Sequence, residues 1–141
     1  MILLDTNVLS ELVRPKVDPV VLTFLRQQPQ PTLFTSSVCQ AEIRFGLARM
    51  PAGRRRNELA GRFSVLFARF TARILAFDST AAAFYGRVRA AREAAGRPIE
   101  VEDAMIAATA RAFGVAVATR NIADFDGCGV HVVNPWAEEH T

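Results

Sequence analysis

The chain opens on a short apolar run, Ile2-Leu3-Leu4, which stops at Asp5-Thr6-Asn7. Those three polar residues suit a helix start, so the pattern predicts a strand leading into a helix from about Val8. Asp18-Pro19 supplies an N-cap with proline at the first helical position. It predicts a second helix to about Gln28, with Val21, Phe24 and Leu25 on one side and Pro29 and Pro31 ending it. Thr32 to Thr35 predicts a second strand. Ser37-Val38-Cys39-Gln40 has the spacing of a capping box and predicts a helix through about Arg49, with Glu42 near its start. Beyond a break at Pro51 and Gly53, the residues Leu59, Phe63, Leu66, Phe67 and Phe70 recur at helical spacing. That stripe reads as packing, either inside the domain or at an interface between copies.

Ile74 to Phe77 predicts a third strand, Asp78-Ser79 a capped helix after it, and Gly96-Arg97-Pro98 that helix's end. A further helix is expected from about Glu102 to Phe113, stopped by Gly114. Val115 to Ala118 and Val130 to Val133 read as the last two strands, separated by a loop from Thr119 to Gly129. Strands that alternate with helices imply parallel neighbours joined by crossovers. The expected fold is therefore a three-layer α/β/α sandwich around a mainly parallel five-stranded sheet, in a single domain over residues 1–141.

Composition narrows the classes. Half of the residues are hydrophobic, enough for one compact core. No basic segment precedes the first apolar run, and Asp5 cuts that run far short of a signal peptide or membrane span, so a cytoplasmic protein with no membrane association is expected. Cys39 and Cys128 lack any metal-site spacing and read as free thiols. Of the 17 basic residues only Lys16 is lysine. Arginine forks suit phosphate, but ordinary solvated helix faces account for the same bias.

In parallel α/β sheets ligands bind beyond the carboxyl ends of the strands. Asp5 directly follows the first strand and Asp124 lies in the loop after the fourth, so both are candidates. Glu42 and Asp103 fall at or near the first turn of predicted helices, where the dipole favours a carboxylate without any function. Asp103, however, opens the very apolar Ala104-Met105-Ile106-Ala107-Ala108. Carboxylates held close together repel unless protonated or neutralised by a cation. Oxygen ligands favour Mg²⁺ or Mn²⁺, and such an ion can polarise a phosphodiester and help generate hydroxide. Competing chemistries fit worse. A receiver domain needs a lysine at its pocket, and Lys16 sits in an early loop. A haloacid-dehalogenase-type phosphatase needs an aspartate where Asn7 stands. No GxSxG elbow is present, and His131 and His140 read as a strand residue and an exposed tail residue.

Four ordered segments then carry a resemblance. Ile2-Leu3-Leu4-Asp5-Thr6-Asn7-Val8-Leu9-Ser10-Glu11 resembles the opening of PIN-domain toxins, and Ala41-Glu42-Ile43-Arg44-Phe45-Gly46 their second acidic motif. Glu102-Asp103-Ala104-Met105-Ile106-Ala107-Ala108-Thr109-Ala110 resembles the third. Ala118-Thr119-Arg120-Asn121-Ile122-Ala123-Asp124-Phe125, continued by Val133-Asn134-Pro135-Trp136, resembles the fourth and the closing strand. The resemblance is to the VapC type, FitB-like members included, and implies metal-dependent RNA cleavage held in check by an antitoxin.

Carried over by position, Asp5, Glu42 and Asp103 would bind Mg²⁺ or Mn²⁺, with Asp124 as the more variable fourth acid and Asp126 as its neighbouring substitute. Thr6, Thr119 and Asn121 would line the site; capping and loop hydrogen bonds are their other use. Glu102, where a small or apolar residue is commoner, is expected to face away from the pocket, or else to join an acidic rim. Arg14 and Arg44, together with the turn Arg54 to Arg56, are candidate RNA contacts. The resemblance further implies a homodimer, a VapB-like antitoxin that alone brings the complex to operator DNA, and 5′-phosphate and 3′-hydroxyl products. Two other readings stay open: a catalytically weak RNA- or protein-binding module, and a DNA-directed nuclease.

Overall fold

The computed structural model describes residues 1–138; His140 lies outside them. Ile2–Leu4 forms β1, and Asp5 caps helix α1, Thr6–Leu12, by accepting a hydrogen bond from the Thr6 amide. Helix α2, Pro19–Arg26, starts as expected, with the Asp18 carboxylate accepting from Val20 N and proline in the first turn. Strand β2 is Leu33–Ser36. The next helix, α3, Ser37–Ala48, is capped by Ser36, whose hydroxyl accepts from Cys39 N. The expected box at Ser37 is therefore not used: Ser37 Oγ instead accepts from Phe77 N at 3.3 Å, tying α3 to the segment after the third strand. One consequence is that Glu42 stands in the second turn of α3, beyond the reach of the helix N-terminus.

Helix α4, Arg54–Arg69, includes Arg54 to Arg56 as its first turn, not as a loop. Its apolar stripe is internal: Phe63, Leu66, Phe67 and Phe70 are all buried within one chain. Strand β3, Ile74–Leu75, is followed by α5, Ser79–Ala94, capped by Asp78, and by α6, Val101–Phe113. Ala116–Ala118 forms β4 and Val132–Val133 forms β5, with a short 3-10 turn at Ile122–Phe125 between them. The edge strands are shorter than the apolar runs suggest, and the exposed His131 precedes β5, giving only its carbonyl to Val117 N.

All strand pairs are parallel, in the order β3-β2-β1-β4-β5. From β1 the chain moves outward to β2 and β3, then returns across the sheet to β4 and β5. Right-handed crossovers carry the helices of the two directions to opposite faces, which gives the three-layer sandwich. Central strands covered on both faces must be apolar throughout, and Leu3, Leu4, Val117 and Ala118 are fully buried. The chain reverses its direction across the sheet between β1 and β4, and their carboxyl ends open a crevice there. Cys39 and Cys128 are buried free thiols. Among the described residues no helix is long and apolar enough to cross a membrane.

Gly114 ends α6 in the left-handed region at φ 67°, whereas Gly61 lies inside α4 with open space where a Cβ would be. The same substitution is therefore expected to act with opposite sign. Gly114→Ala should destabilise the fold by about 1 kcal/mol, and Gly61→Ala should stabilise it by about 0.5–1 kcal/mol. Urea unfolding midpoints of the two variants check this; a shift in the same direction for both would contradict the local accounting.

Candidate active site

Asp5 is the last residue before α1 and sits at the crevice between β1 and β4. Its amide continues the sheet by donating to Ala118 O at 3.0 Å. Its carboxylate is 4% exposed. Oδ1 accepts from Thr6 N at 2.7 Å, while Oδ2 accepts from Thr119 Oγ1 at 2.8 Å and from Asn7 Nδ2 at 3.3 Å. Asn7 Nδ2 also donates to Thr119 Oγ1 at 3.0 Å, and Asn7 Oδ1 accepts from Arg120 N at 3.2 Å. The N-terminus of α1 and the end of β4 are thus joined through Asp5, Asn7 and Thr119.

Two helices bring the next two acids. On α3, Glu42 is half-buried and accepts a hydrogen bond from Thr6 Oγ1 at 3.0 Å. Asp103 lies in the first turn of α6 and is also half-buried. Asp124 is exposed on the 3-10 turn after β4, and its charge bears on both Asp5 and Asp103. Asp126 is turned to another use: it pairs with Arg97 at 2.6 Å, and that bond holds its carboxyl below the ordinary range. Of the two neighbouring acids, Asp124 is the one whose charge reaches Asp5 and Asp103, although it does not line the cleft with them.

The electrostatics of the cluster run one way. Burial raises the pKa of Asp5; the hydrogen bonds from Thr119, Thr6 and Asn7 oppose the rise, and the Asp124 charge adds to it. Burial also raises Glu42, opposed by the Thr6 hydroxyl and reinforced by Asp5 and Glu102. Asp103 is pushed up from 3.8 to about 7, first by burial and then by Asp5, Asp124, Glu42 and Glu100. Cys39, one helical turn before Glu42, has its thiol 4.0 Å from Asp5 Oδ1 and is pushed up to about 12 by burial and by Asp5. It is a neutral spacer rather than a nucleophile.

Asp5, Thr6, Asn7, Glu42 and Asp103 line a cleft of about 580 Å³ together with Ser10, Glu11, Arg14, Arg120, Asn121 and Trp136. The donor set is all oxygen at its acidic end, and its carboxylates raise one another's pKa, the field a divalent cation relieves. Among the described residues no three His, Cys, Asp or Glu side chains form a ready-made cage. An open site of that kind suits magnesium, which takes one or two carboxylates directly and keeps waters.

Several residues were placed otherwise by the sequence. Arg44 does not line the cleft; its guanidinium packs over the Phe67 ring, 5.8 Å from the centroid. Glu102 does not line the cleft: it lies in a neighbouring groove shared with Glu42, from which its charge reaches Glu42. Arg14 does line the cleft, bound to Glu11 at 3.1 Å. The sequence reading passed over Glu11, a buried carboxylate that also accepts from Asp18 N, and the central role of Asn7. The signal was there: Asn7 and Glu11 lie one turn apart on α1, and Arg14 continues the spacing just beyond the helix's end. Arg92 had no such signal. It is 6% exposed and donates to the carbonyls of Arg97, Asp124 and Asp126, fastening the turn that carries Asp124.

Known proteins match this chain in sequence and in fold. The chain is 42% identical over 137 residues to the VapC ribonuclease Y4jK of Sinorhizobium fredii, covering 96% of this chain and 98% of that one. It is 38% identical, over 96% of its length and 99% of the relative's, to Toxin FitB of Neisseria gonorrhoeae. Among solved structures, FitAB bound to an IR36 DNA fragment contains a chain that superposes with a TM-score of 0.91 at 38% identity, covering 99% of each. The VapBC2 complex of Rickettsia felis, bound to a promoter DNA fragment, contains one that shares the fold with a TM-score of 0.78 at 22% identity, over 95% of this chain and 98% of that one. The profile of the PIN domain matches residues 2–126, and the chain belongs to the PIN-domain family.

Proposed function

We propose that this protein is a metal-dependent endoribonuclease and the toxin of a type II toxin–antitoxin pair. The observation that carries the reading is the convergence of Asp5, Glu42 and Asp103 from three separate elements on one open cleft, with Asp124 adding its charge. A relative that is 42% identical over nearly the whole chain is a ribonuclease by name, which supports the same reading. Asp5, Glu42 and Asp103 would hold Mg²⁺ or Mn²⁺, in part through water, with Asp124 as the fourth acid. Such an ion, when bound, supplies Lewis-acid polarisation of the phosphodiester and eases deprotonation of the attacking water.

The chain's own residues do the positioning. Thr119 and Asn7 hold one oxygen of Asp5, and Thr6 holds Glu42, so neither carboxylate rotates freely. Asn121 lines the same cleft, and its amide donates to Thr119 Oγ1 at 3.1 Å. Arg14, 64% exposed, lines the same cleft and offers a cation to an incoming phosphate. An open cleft reaches unpaired RNA more readily than a duplex groove, so single-stranded or looped RNA is the substrate class. RNA as substrate implies a cytoplasmic site of action. The FitAB and VapBC structures are complexes bound to DNA, which supports a small antitoxin partner for this chain and contact with operator DNA through it; a homodimeric toxin within that assembly is part of the proposal.

Three outcomes test the reading. Purified wild-type protein is expected to cut a mixed RNA pool with Mg²⁺ or Mn²⁺ and not with EDTA, leaving 5′-phosphate ends, and to leave competing DNA intact. Asp5→Asn should abolish those cuts, and full metal-dependent activity in that variant would remove the mechanism. Thr119→Val, which keeps the shape and loses the donor to Asp5, should lower cleavage or metal affinity by about 10–100-fold. Asp103 gives a third, independent readout. Between 3.8 and about 7 the folded chain holds more protons at this group than the unfolded chain, so metal-free stability falls as pH rises through that window and is level above it. Asp103→Asn should therefore melt above wild type at about pH 8, with the gap closing towards about pH 4, and Mg²⁺ should raise the wild-type midpoint more than the variant's. A gap independent of pH in thermal scans would mean that ionisation of Asp103 is not its source.

A further inference from the structure

Trp136 is the only tryptophan of the chain, and it lines the acidic cleft beside Arg120. The Arg120 guanidinium lies 4.2 Å from the centroid of the indole, packed against its ring. The two side chains are anchored independently. Arg120 follows the threonine that binds Asp5, and its amide is held by Asn7 Oδ1 at 3.2 Å. The Trp136 amide donates to Asn134 Oδ1 at 2.9 Å in a turn closed by Ala137 N on Asn134 O. The ring packs on the core at one side, and its Nε1 is buried with no hydrogen-bond partner among the described residues.

The other residues of the cleft are polar or charged, so this pair supplies its one aromatic plane. Arg120 is exposed and makes no ion pair with any described residue, although carboxylates line the same cleft. Its charge is spent on the indole face, which fixes the guanidinium as a plane at the cleft rim. Unpaired RNA bases stack on aromatic rings and on arginine planes. Such stacking is tolerant of sequence because every base has a π-face.

We propose that Arg120 and Trp136 form a nucleobase-stacking subsite, which holds a base of the RNA strand next to the phosphodiester lying over Asp5 and Asp103. The subsite rests on the ribonuclease reading above. It separates two tasks within one cleft: the acids act on the backbone, common to all RNA, while the stacked pair requires a base and so sets where along the strand cleavage falls. Arg120 joins the two, since its backbone belongs to the Asp5 hydrogen-bond network and its side chain to the indole.

A single tryptophan makes the subsite directly readable. Asp103→Asn protein, expected to bind without cutting, is titrated in Mg²⁺ with short homopolymeric ribonucleotides and with an abasic strand of equal length and charge, following Trp136 emission. Base-bearing strands should change the emission and bind about tenfold more tightly than the abasic strand, which should leave the emission unchanged. Arg120→Lys keeps the charge and loses the plane, and should lose most of that preference while its thermal midpoint stays close to that of the parent. Equal binding and equal emission change for abasic and base-bearing strands, or an undiminished preference in Arg120→Lys, overturns the subsite. Wild-type cleavage of the RNA pool, run in parallel, separates the failures: cutting without a base-dependent signal refutes the subsite alone, and no cutting refutes the ribonuclease reading beneath it.

Discussion

The hydrogen bond from Thr119 to Asp5 spans 114 positions of sequence and joins the carboxyl ends of the two central strands. Everything in the site is registered on it. Asp5 donates its amide to β4 and Thr119 donates its own to Val133 on β5, so both residues sit in the sheet's ladder before they act in the cleft. A carboxylate that is 4% exposed loses hydration, and that loss opposes ionisation. Three donors, one each from Thr6, Asn7 and Thr119, restore part of what water would have given. They also decide where the charge points, which water would not.

The same comparison of magnitudes explains Asp103. A carboxylate in the first turn of a helix is ordinarily favoured by about 0.3–1 kcal/mol, less than one pKa unit. Here the carboxyl moves the other way, from 3.8 to about 7, so burial and the four neighbouring acids outweigh the dipole. Evolution towards stability alone would replace such a group. Its cost becomes intelligible when the cluster's task is to hold a cation, because the repulsion that destabilises the empty cleft is the attraction that fills it.

What the sequence showed of this arrangement follows from how local each signal was. Asp5 was legible because an apolar run long enough for a parallel strand ended on it, and Gly114 because a helix stop needs the left-handed region. Glu42 was a candidate from its place near a helix start, but the cap is Ser36 and not Ser37, so the residue lies one position further from the N-terminus than the pattern suggests. Asp124 and Asp126 could not be separated from sequence, since the decision rests on Arg97 pairing with one of them and on where the 3-10 turn faces. Asn7 was read as a capping residue and its amide proved to bridge two strands' ends. Trp136 lies 131 positions after Asp5, and only the β4–β5 pairing brings it to the same cleft.

The arginine bias, which suggested phosphate recognition, divides in the structure into two unlike uses. Arg92, Arg73 and Arg62 direct their guanidinium groups at backbone carbonyls: Arg92 at three of them around the Asp124 turn, Arg73 at Gln30, Leu33 and Arg69, and Arg62 at Val13. A lysine has three donors on one atom and cannot span such separated acceptors, whereas a planar fork can. In a domain whose strands are two to four residues long, helix ends and tight turns leave carbonyls that the sheet does not satisfy, and arginine closes them. Composition therefore measured loop architecture as much as ligand chemistry. The arginines proposed to meet RNA are identified by position instead: Arg14 and Arg120 both line the cleft, one held by a buried glutamate and the other by an indole.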